Sequence, residues 1–312
     1  MKKIQVQNLT KRFDDRLVLD NVSFSIERGE IFGLIGPNGA GKTTVLMIII
    51  GLLKANHGQV LIDGKTIEED SIDYKKKIGF VPQELAILEE LTVFDNLEYF
   101  GGYYGLFGSV LKERIRIVLE QVGLKDHQKE KVKKLSGGFK RRLNIALALV
   151  HEPEILILDE PTVGIDTASR SEIFALIKRM SQEQQVTVIF TSHYMGEIEQ
   201  LCEQIFIMDQ GKKVSQGTKQ EIKSLFMDGN MIQVKFEFLT PLLINELKLV
   251  VGVKELMLKA DEKLVLLVDS TFQLDALIQL CHQQHVKLIE IHFEKPSLEE
   301  VFLALTGRRW QD

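Results

Sequence analysis

Three short stretches carry residues whose types and spacing could do chemistry on phosphate. "GPNGAGKTT" at 36–44 holds Gly36 to Thr43 in the order G-x-x-x-x-G-K-T. Glycines there let backbone N–H groups turn inward onto an anion, and the helix expected to follow adds its positive N-terminus. Asn38, Gly39, Ala40, Gly41, Lys42, Thr43 and Thr44 are the candidate nucleotide-binding residues, with Lys42 reaching the β- and γ-phosphates and the Thr43 hydroxyl on Mg2+. A chance match in a chain of ordinary composition is on the order of one in a hundred. "ILILDEP" at 155–161 ends an apolar, strand-like run with Asp159 and Glu160. Neighbouring residues of an extended chain point in different directions. That suits two roles, Asp159 holding Mg2+ through its water shell and Glu160 orienting and deprotonating an attacking water. The third stretch, "LSGGFKRR" at 135–142, is a second glycine turn, with Ser136 as N-cap and Gly137 and Gly138 opening a helix whose free N–H groups attract an anion. One phosphate leaves little room for two helix N-termini from the same subunit. Two chains arranged head to tail, each offering its second turn to the other's nucleotide, is the economical solution.

The elements that must position these residues alternate between strand and helix up to about residue 222. "EIFGLIG" runs into the phosphate loop and then into helix-like "KTTVLMIIIGLLK", while "EILILD" and "VTVIFTS" are short apolar runs of the kind buried in a parallel sheet. Ahead of them "KIQVQNLTKRF" and "LVLDNVSFSI" alternate with period 2, as antiparallel strands do. The pattern predicts an α/β fold with the phosphate loop at the end of a central strand. Segment 112–122 reads as helix, and "FGGYYGLFG" at 100–108 as a glycine- and aromatic-rich interruption.

The character changes near 222–230. "MIQVKFEF" places Ile232, Val234, Phe236 and Phe238 on one face of a strand. A helix-like stretch at 241–250, strands at 253–259 and 263–268, helical spacing of Leu274, Leu277, Ile278 and Cys281, and the strand "VKLIEIHF" complete β-α-β-β-α-β, the order of a ferredoxin-like α+β unit. A last helix opens at the capping box Ser297…Glu300, buries Leu298, Val301, Phe302 and Leu305, and stops at Gly307. Two domains are predicted, 1–222 and 228–312.

Composition bounds the rest. The 312 residues carry a net charge of -5, with 45% hydrophobic and 27% charged residues, ordinary values for a globular chain. The two cysteines, Cys202 and Cys281, make no disulfide framework and point to a reducing compartment. "MKKIQVQNLT" alternates where a signal peptide would run apolar, and "VLMIIIGLL" at 45–53 is under half the roughly 20 residues that span a bilayer. A cytoplasmic protein is expected, held to a membrane only through something else. The basic run "KEKVKKLSGGFKRR" has one aromatic and surrounds a phosphate-facing turn, so no nucleic-acid partner is predicted from it. "CHQQH" at 281–285 looks like metal ligands, but it closes a helix with Cys281 on the apolar face and reads as core and surface.

Taken in order, "GPNGAGKTT", Gln83 in "VPQE", "LSGGFKRR", "ILILDEP", "GID" and His193 in "TSHYM" resemble the nucleotide-binding domain of ABC ATPases, over roughly residues 3–222. Each motif alone is weak to moderate; six in this order are specific. The resemblance implies the family's fold: a parallel core sheet with an antiparallel β subdomain and a helical subdomain. It implies ATP and Mg2+ as ligands, and a sandwich dimer in which Ser136 and Gly138 contact the γ-phosphate bound by the partner. By the same resemblance Gln83 senses Mg2+ and the attacking water, Asp166 lies at the dimer seam, His193 contacts the γ-phosphate and helps position Glu160, and Phe13 stacks on adenine. "GID" replaces the commoner "GLD", and Phe139 stands where members often carry Gln or Met. With Glu160 present, two copies would form two competent sites; pairing of this chain with a related ATPase is the alternative.

The resemblance further implies the ATPase subunit of a transporter, working through a separate transmembrane permease and peripheral on the cytoplasmic face of the membrane. "FGGYYGLFG" then lies near the permease-facing region that follows Gln83. The ending "PSLEEVFLALTGRR" looks like ATPases of bacterial drug-, antibiotic- and sodium-type two-component exporters. Two other classes compete. A soluble ABC ATPase without a permease usually carries two cassettes or a long coiled-coil insert, and this chain has one cassette and no sustained heptads. A ligand-sensing C-terminal domain is the other, against the plainer reading of that domain as a dimer-stabilising or partner-contacting appendage.

Overall fold

The computed structural model describes residues 2–192, 194–224, 229–259, 263–269, 271–294 and 297–306. The chain divides into two units, the first ending at Thr218 and the second starting at Lys219. In the first, β1 (Lys2–Phe13) and β2 (Arg16–Glu27) pair antiparallel as the alternation predicts. Then come β3 (Ile31–Ile35), α1 (Lys42–Ile49), β4 (His57–Ile62), α2 (Ser71–Lys76) and β5 (Ile78–Val81). Helices α3 (Val93–Tyr103), α4 (Gly108–Gln121) and α5 (Gly137–Leu149) follow. The rest of the unit is β6 (Ile155–Leu158), α6 (Thr167–Gln184), β7 (Thr187–Phe190), α7 (Met195–Leu201), β8 (Gln204–Asp209) and β9 (Lys212–Thr218).

The main sheet runs β5-β6-β7-β3-β8-β9, all parallel except the β8–β9 edge pair. Every residue of β3, β6 and β7 is buried, which is why these strands read as unbroken apolar runs. The antiparallel sheet, ordered β2-β1-β4, joins this core through Phe24, whose ring lies 5.2 Å from Phe32 and 4.9 Å from Phe206. Lys3 reinforces the junction. Its side chain is 1% exposed and its ammonium bridges Asp63 at 2.7 Å and Glu154 at 2.5 Å, so a buried cation is paired on two sides.

The helical subdomain corrects one expectation. The interruption predicted at 100–108 is helical as far as Tyr103. Thr92 and Asp95 form a reciprocal capping box at its start, and Gly101 sits where α3 crosses α4. A Cβ on Gly101 would stand 2.3 Å from Leu111 Cδ1, so the glycine permits close packing of helices and does not break one. Asn96, fully buried, receives the Leu88 N–H and donates to the Leu88 and Thr92 carbonyls, which shapes the loop before α3.

The second unit contains α8 (Lys219–Ser224), β10 (Gly229–Phe236), α9 (Pro241–Leu247), β11 (Val253–Lys259), β12 (Lys263–Asp269), α10 (Leu274–Gln283), β13 (Leu288–Glu294) and α11 (Leu298–Thr306). Its sheet, β11-β12-β10-β13, is antiparallel throughout, the ferredoxin-like order. Ile232, Val234, Phe236, Leu243, Leu247, Leu266, Leu277 and Cys281 share one core. Phe238, expected on that face, lies beyond the end of β10 and is 45% exposed. The capping box of α11 is formed, with Ser297 N–H donating to Glu300 at 2.9 Å and Glu300 N–H to Ser297 Oγ at 3.2 Å. The predicted stop at Gly307 and the Leu305 side chain lie outside the described residues.

The end of α5 generates a stability prediction. The His151 ring stacks on Tyr104 at 3.7 Å and 5°, and its Nε2 lies 3.1 Å from the Ile78 carbonyl. Burial pushes the imidazole down to about 4; the Ile78 carbonyl opposes this and Arg114 adds to it. The unfolded chain, with histidine near 6.5, binds more protons than the folded one between these values. This residue's contribution is therefore complete above about pH 6.5 and is lost as pH falls towards about 4, by up to about 3 kcal/mol. His151→Phe, which keeps the stack, should show a shallower loss of melting temperature than wild type over this window.

Candidate nucleotide site

Four neighbouring strands of the main sheet, β5-β6-β7-β3, bring their carboxyl ends to one edge. Gln83 follows β5, Asp159 and Glu160 follow β6, Thr191 follows β7, and the loop 36–41 follows β3. Strands lie about 4.8 Å apart, so groups from the four chain segments fall within about 15 Å. Phe13, Arg16, Val18, Asn38, Gly39, Ala40, Gly41, Lys42, Thr43, Thr44, Gln83 and Glu160 line one cleft of about 440 Å³. Phe13, Asn38 through Thr44, Gln83 and Glu160 were legible as candidates; Arg16 and Val18 were not, being an unremarkable turn charge and strand valine.

The phosphate loop depends on its backbone. Gly41, the residue capping α1, has φ +103°, which a side chain would strain. Lys42 is 6% exposed, and its ammonium donates to the carbonyls of Gly36 at 2.7 Å and Pro37 at 3.2 Å. An ammonium has three donors, so one direction is left for an anion. Burial pushes the Lys42 pKa down, and Glu160 and Asp159 oppose it.

Asp159 and Glu160 are both 5% exposed. Asp159 Oδ1 accepts from Thr191 Oγ1 at 2.8 Å, and Oδ2 lies 3.4 Å from Thr43 Oγ1. The Thr191 hydroxyl oxygen also accepts the Glu160 N–H at 2.9 Å. One hydroxyl thus orients the first carboxylate and the backbone of the second. Thr191 was missed as a functional residue; the signal was its position directly after an apolar run, in the same stretch as His193. Glu160 has φ +51°, a conformation that costs a non-glycine residue about 1–2 kcal/mol. Thr43 and Asp159 are hard oxygen donors on facing segments, a pair that suits Mg2+ completing its shell with phosphate and water.

Ser136, Gly137 and Gly138 do not line this cleft. Ser136 caps α5 by accepting the Phe139 N–H at 3.4 Å, and Ser136 and Gly137 are exposed. Gly138 abuts α6, where a Cβ would stand 2.2 Å from Ser169 Oγ. Asp166 caps the same helix. Its carboxylate accepts the Ser169 N–H at 2.9 Å, and this bond holds its pKa below the usual carboxylate range. The second glycine turn and Asp166 therefore form a separate cluster in this chain. His193 lies outside the described residues.

Helix α5 also grips the segment carrying Gln83. The buried Arg141 guanidinium donates to the Pro82 carbonyl at 3.1 Å and the Gln83 carbonyl at 2.8 Å, and Asn144 Oδ1 accepts the Ala86 N–H at 3.2 Å. Neither side chain stood out in the sequence, where Arg141 is one of several basic residues after the glycine turn.

A parallel sheet with a glycine-loop lysine after one strand and an acidic pair after another defines a P-loop nucleotide hydrolase. Comparison with known proteins narrows this. Residues 19–163 match the ABC transporter family and residues 217–306 the C-terminal domain of DrrA1-3-like ATP-binding proteins. The linearmycin resistance ATP-binding protein LnrL of Bacillus subtilis (strain 168) is 41% identical over 99% of this chain and 100% of its own length. The Nod factor export ATP-binding protein I of Ralstonia nicotianae is 33% identical over 99% of this chain and 95% of its own. A solved dimeric ATP-binding cassette in a post-hydrolysis state, bound to ADP and Pi, superposes with a TM-score of 0.62 at 29% identity, over 69% of this chain and 98% of that one. The chain belongs to the ABC transporter family, as an ATP-binding, ATP-hydrolysing subunit. Such subunits dimerise and work with transmembrane permeases. Among the described residues, no helix is long and apolar enough to cross a membrane.

Thr191→Val tests the local geometry. It removes the donor to Asp159 and the acceptor of the Glu160 N–H. The Mg2+ concentration for half-maximal ATPase activity should rise about tenfold or more, as measured by Mg2+ titration at saturating ATP.

Proposed function

We propose that two copies of this chain close head to tail around two ATP molecules and drive an export permease from the cytoplasmic face of the membrane. The observation carrying this reading is the division of phosphate-binding parts. The cleft of one chain gathers loop residues 38–44, Gln83 and Glu160 but not Ser136–Gly138, where Ser136 and Gly137 are exposed and Gly138 sits against Ser169. A second chain is the natural source of the missing turn, with Asp166 at the seam.

In this arrangement Phe13, 43% exposed at the rim, stacks on adenine, and the N–H groups of Asn38 through Thr44 wrap the phosphates. Lys42 places its remaining donor on the β- and γ-phosphates. Thr43, Gln83 and Asp159 hold Mg2+, which when bound neutralises phosphate charge. Glu160 takes a proton from water as the water oxygen bonds to the γ-phosphorus. The bond from that phosphorus to the β–γ bridging oxygen breaks, and ADP and phosphate leave. Ser136, Gly137 and Gly138 of the partner contact the γ-phosphate from the other side, and His193 joins them.

Export is supported by the relatives, one named for linearmycin resistance and the other for Nod factor export. The permease surface is proposed at the region after Gln83, where Leu85, Leu88 and Leu91 are more than a third exposed and Tyr103 and Phe107 are 85% and 70% exposed. Residues 1–222 serve as the ATPase and 228–312 as an accessory domain contacting a partner or stabilising the dimer.

Glu160→Gln should bind ATP and accumulate as a closed dimer on gel filtration, because the clamp survives while the base is lost; wild-type turnover would remove Glu160 from this role. Mixing Lys42→Ala with Ser136→Arg subunits should restore one working site per verified mixed dimer, whereas no recovery argues against shared sites. Tagged protein drawn from native membranes in gentle detergent should bring down a stoichiometric multi-span protein. Tyr103→Ser with Phe107→Ser should lose that partner while the purified subunit keeps its ATPase activity.

A further inference from the structure

Beneath the loop that follows Glu160 lies a buried carboxylate, Glu197 on α7, 3% exposed. Its Oε2 accepts from Thr162 Oγ1 at 2.7 Å and from the Ser192 hydroxyl. Its Oε1 forms an ion pair with Arg170 Nε at 3.1 Å, out of hydrogen-bond alignment. Each contact reaches a different segment. Thr162 stands two residues after Glu160. Ser192 directly precedes residue 193, and its Oγ also accepts the Tyr194 N–H at 2.9 Å. Arg170 lies one turn into α6, donates to the Ile165 carbonyl at 3.4 Å, and places its guanidinium 5.4 Å from the Tyr194 ring centre. Thr162, Ser192 and Glu197 are all buried, so these bonds form where an unmatched polar group is costly.

We propose that Glu197 is a positioning residue for ATP hydrolysis. It fixes, as one unit, the loop from Glu160 to Asp166 and the chain on both sides of His193. The inference rests on the reading that Glu160 is the base and Asp166 lies at the seam. The geometry gives this buried carboxylate a role. It holds the first part of the loop through Thr162 and the last part through Arg170 and Ile165. Closure of a partner against Asp166 would then be felt at Glu160 through a loop anchored near both ends. Glu197 does not line the nucleotide cleft, so ATP binding should be indifferent to it.

The test separates turnover from binding. Glu197→Gln keeps the volume but leaves one amide oxygen in place of two charged ones. It should lower kcat about tenfold or more, as expected for losing bonds to a charged group, while ATP affinity stays within about threefold. Thr162→Val and Ser192→Ala remove one donor each and leave Glu197 in place. Each should lower kcat with affinity retained, and neither should add its full effect to Glu197→Gln, because the bonds share one acceptor. Should Glu197→Gln not fold, the two donor variants decide alone. A folded Glu197→Gln with wild-type kcat, kcat and affinity falling together, or additive losses would overturn the proposal. Glu160→Gln measured alongside keeps the outcomes apart: wild-type turnover in that variant removes Glu160 as the base, whereas the role of Glu197 is read from its own kcat and affinity.

Discussion

Four parallel strands of four or five residues must end side by side, and the chemistry of the chain depends on that one constraint. β6 and β7 are hydrogen-bonded from Ile155–Thr187 to Leu158–Phe190, and β5 and β6 from Ile78–Ile155 to Val81–Leu158. A slip of one residue would move the point at which the chain leaves β6, and with it Asp159 and Glu160, relative to the phosphate loop. The register is held by burial, because both faces of these strands are covered and every residue in β3, β6 and β7 is apolar or, at Thr187, hydrogen-bonded. The phosphate loop gains its position from the same packing, at the end of the strand next to β7.

Charge is managed locally within this dry framework. Lys42, Asp159 and Glu160 sit close together at low exposure, and the carboxylates raise the lysine's proton affinity against the effect of burial. Hydroxyls do much of the orienting. Thr191 serves Asp159 and the backbone of Glu160, while Thr162 and Ser192 converge on Glu197. A hydroxyl both donates and accepts, so it joins an anion to a peptide group without adding charge.

The local motifs were legible because each carries its whole signal in consecutive residues. The loop 36–44 and the acidic pair 159–160 read directly, and the alternation in 3–13, 17–26 and 231–238 named strands without any tertiary knowledge. Arg141, Asn144, Thr191 and Glu197 were not legible, because their roles arise from contacts between segments tens of residues apart. Helix α3 was hidden for a different reason: Gly101 and Gly102 mimic a breaker, and only Leu111 on the next helix shows why a glycine is needed at 101. Phe238 was misplaced because the alternation outlasts the strand, which ends at Phe236.

The grip of Arg141 and Asn144 on the segment 82–86 makes α5 a lever with two working ends. The helix has thirteen residues and is about 20 Å long, so a tilt of about 5° displaces one end relative to the other by nearly 2 Å, about half the width of an atom contact. Ser136 and the two glycines sit at its tip, and the Gln83 backbone is bolted two turns or less along its shaft. A push on the tip would therefore reach the backbone of residue 83 through the paired hydrogen bonds of the Arg141 guanidinium.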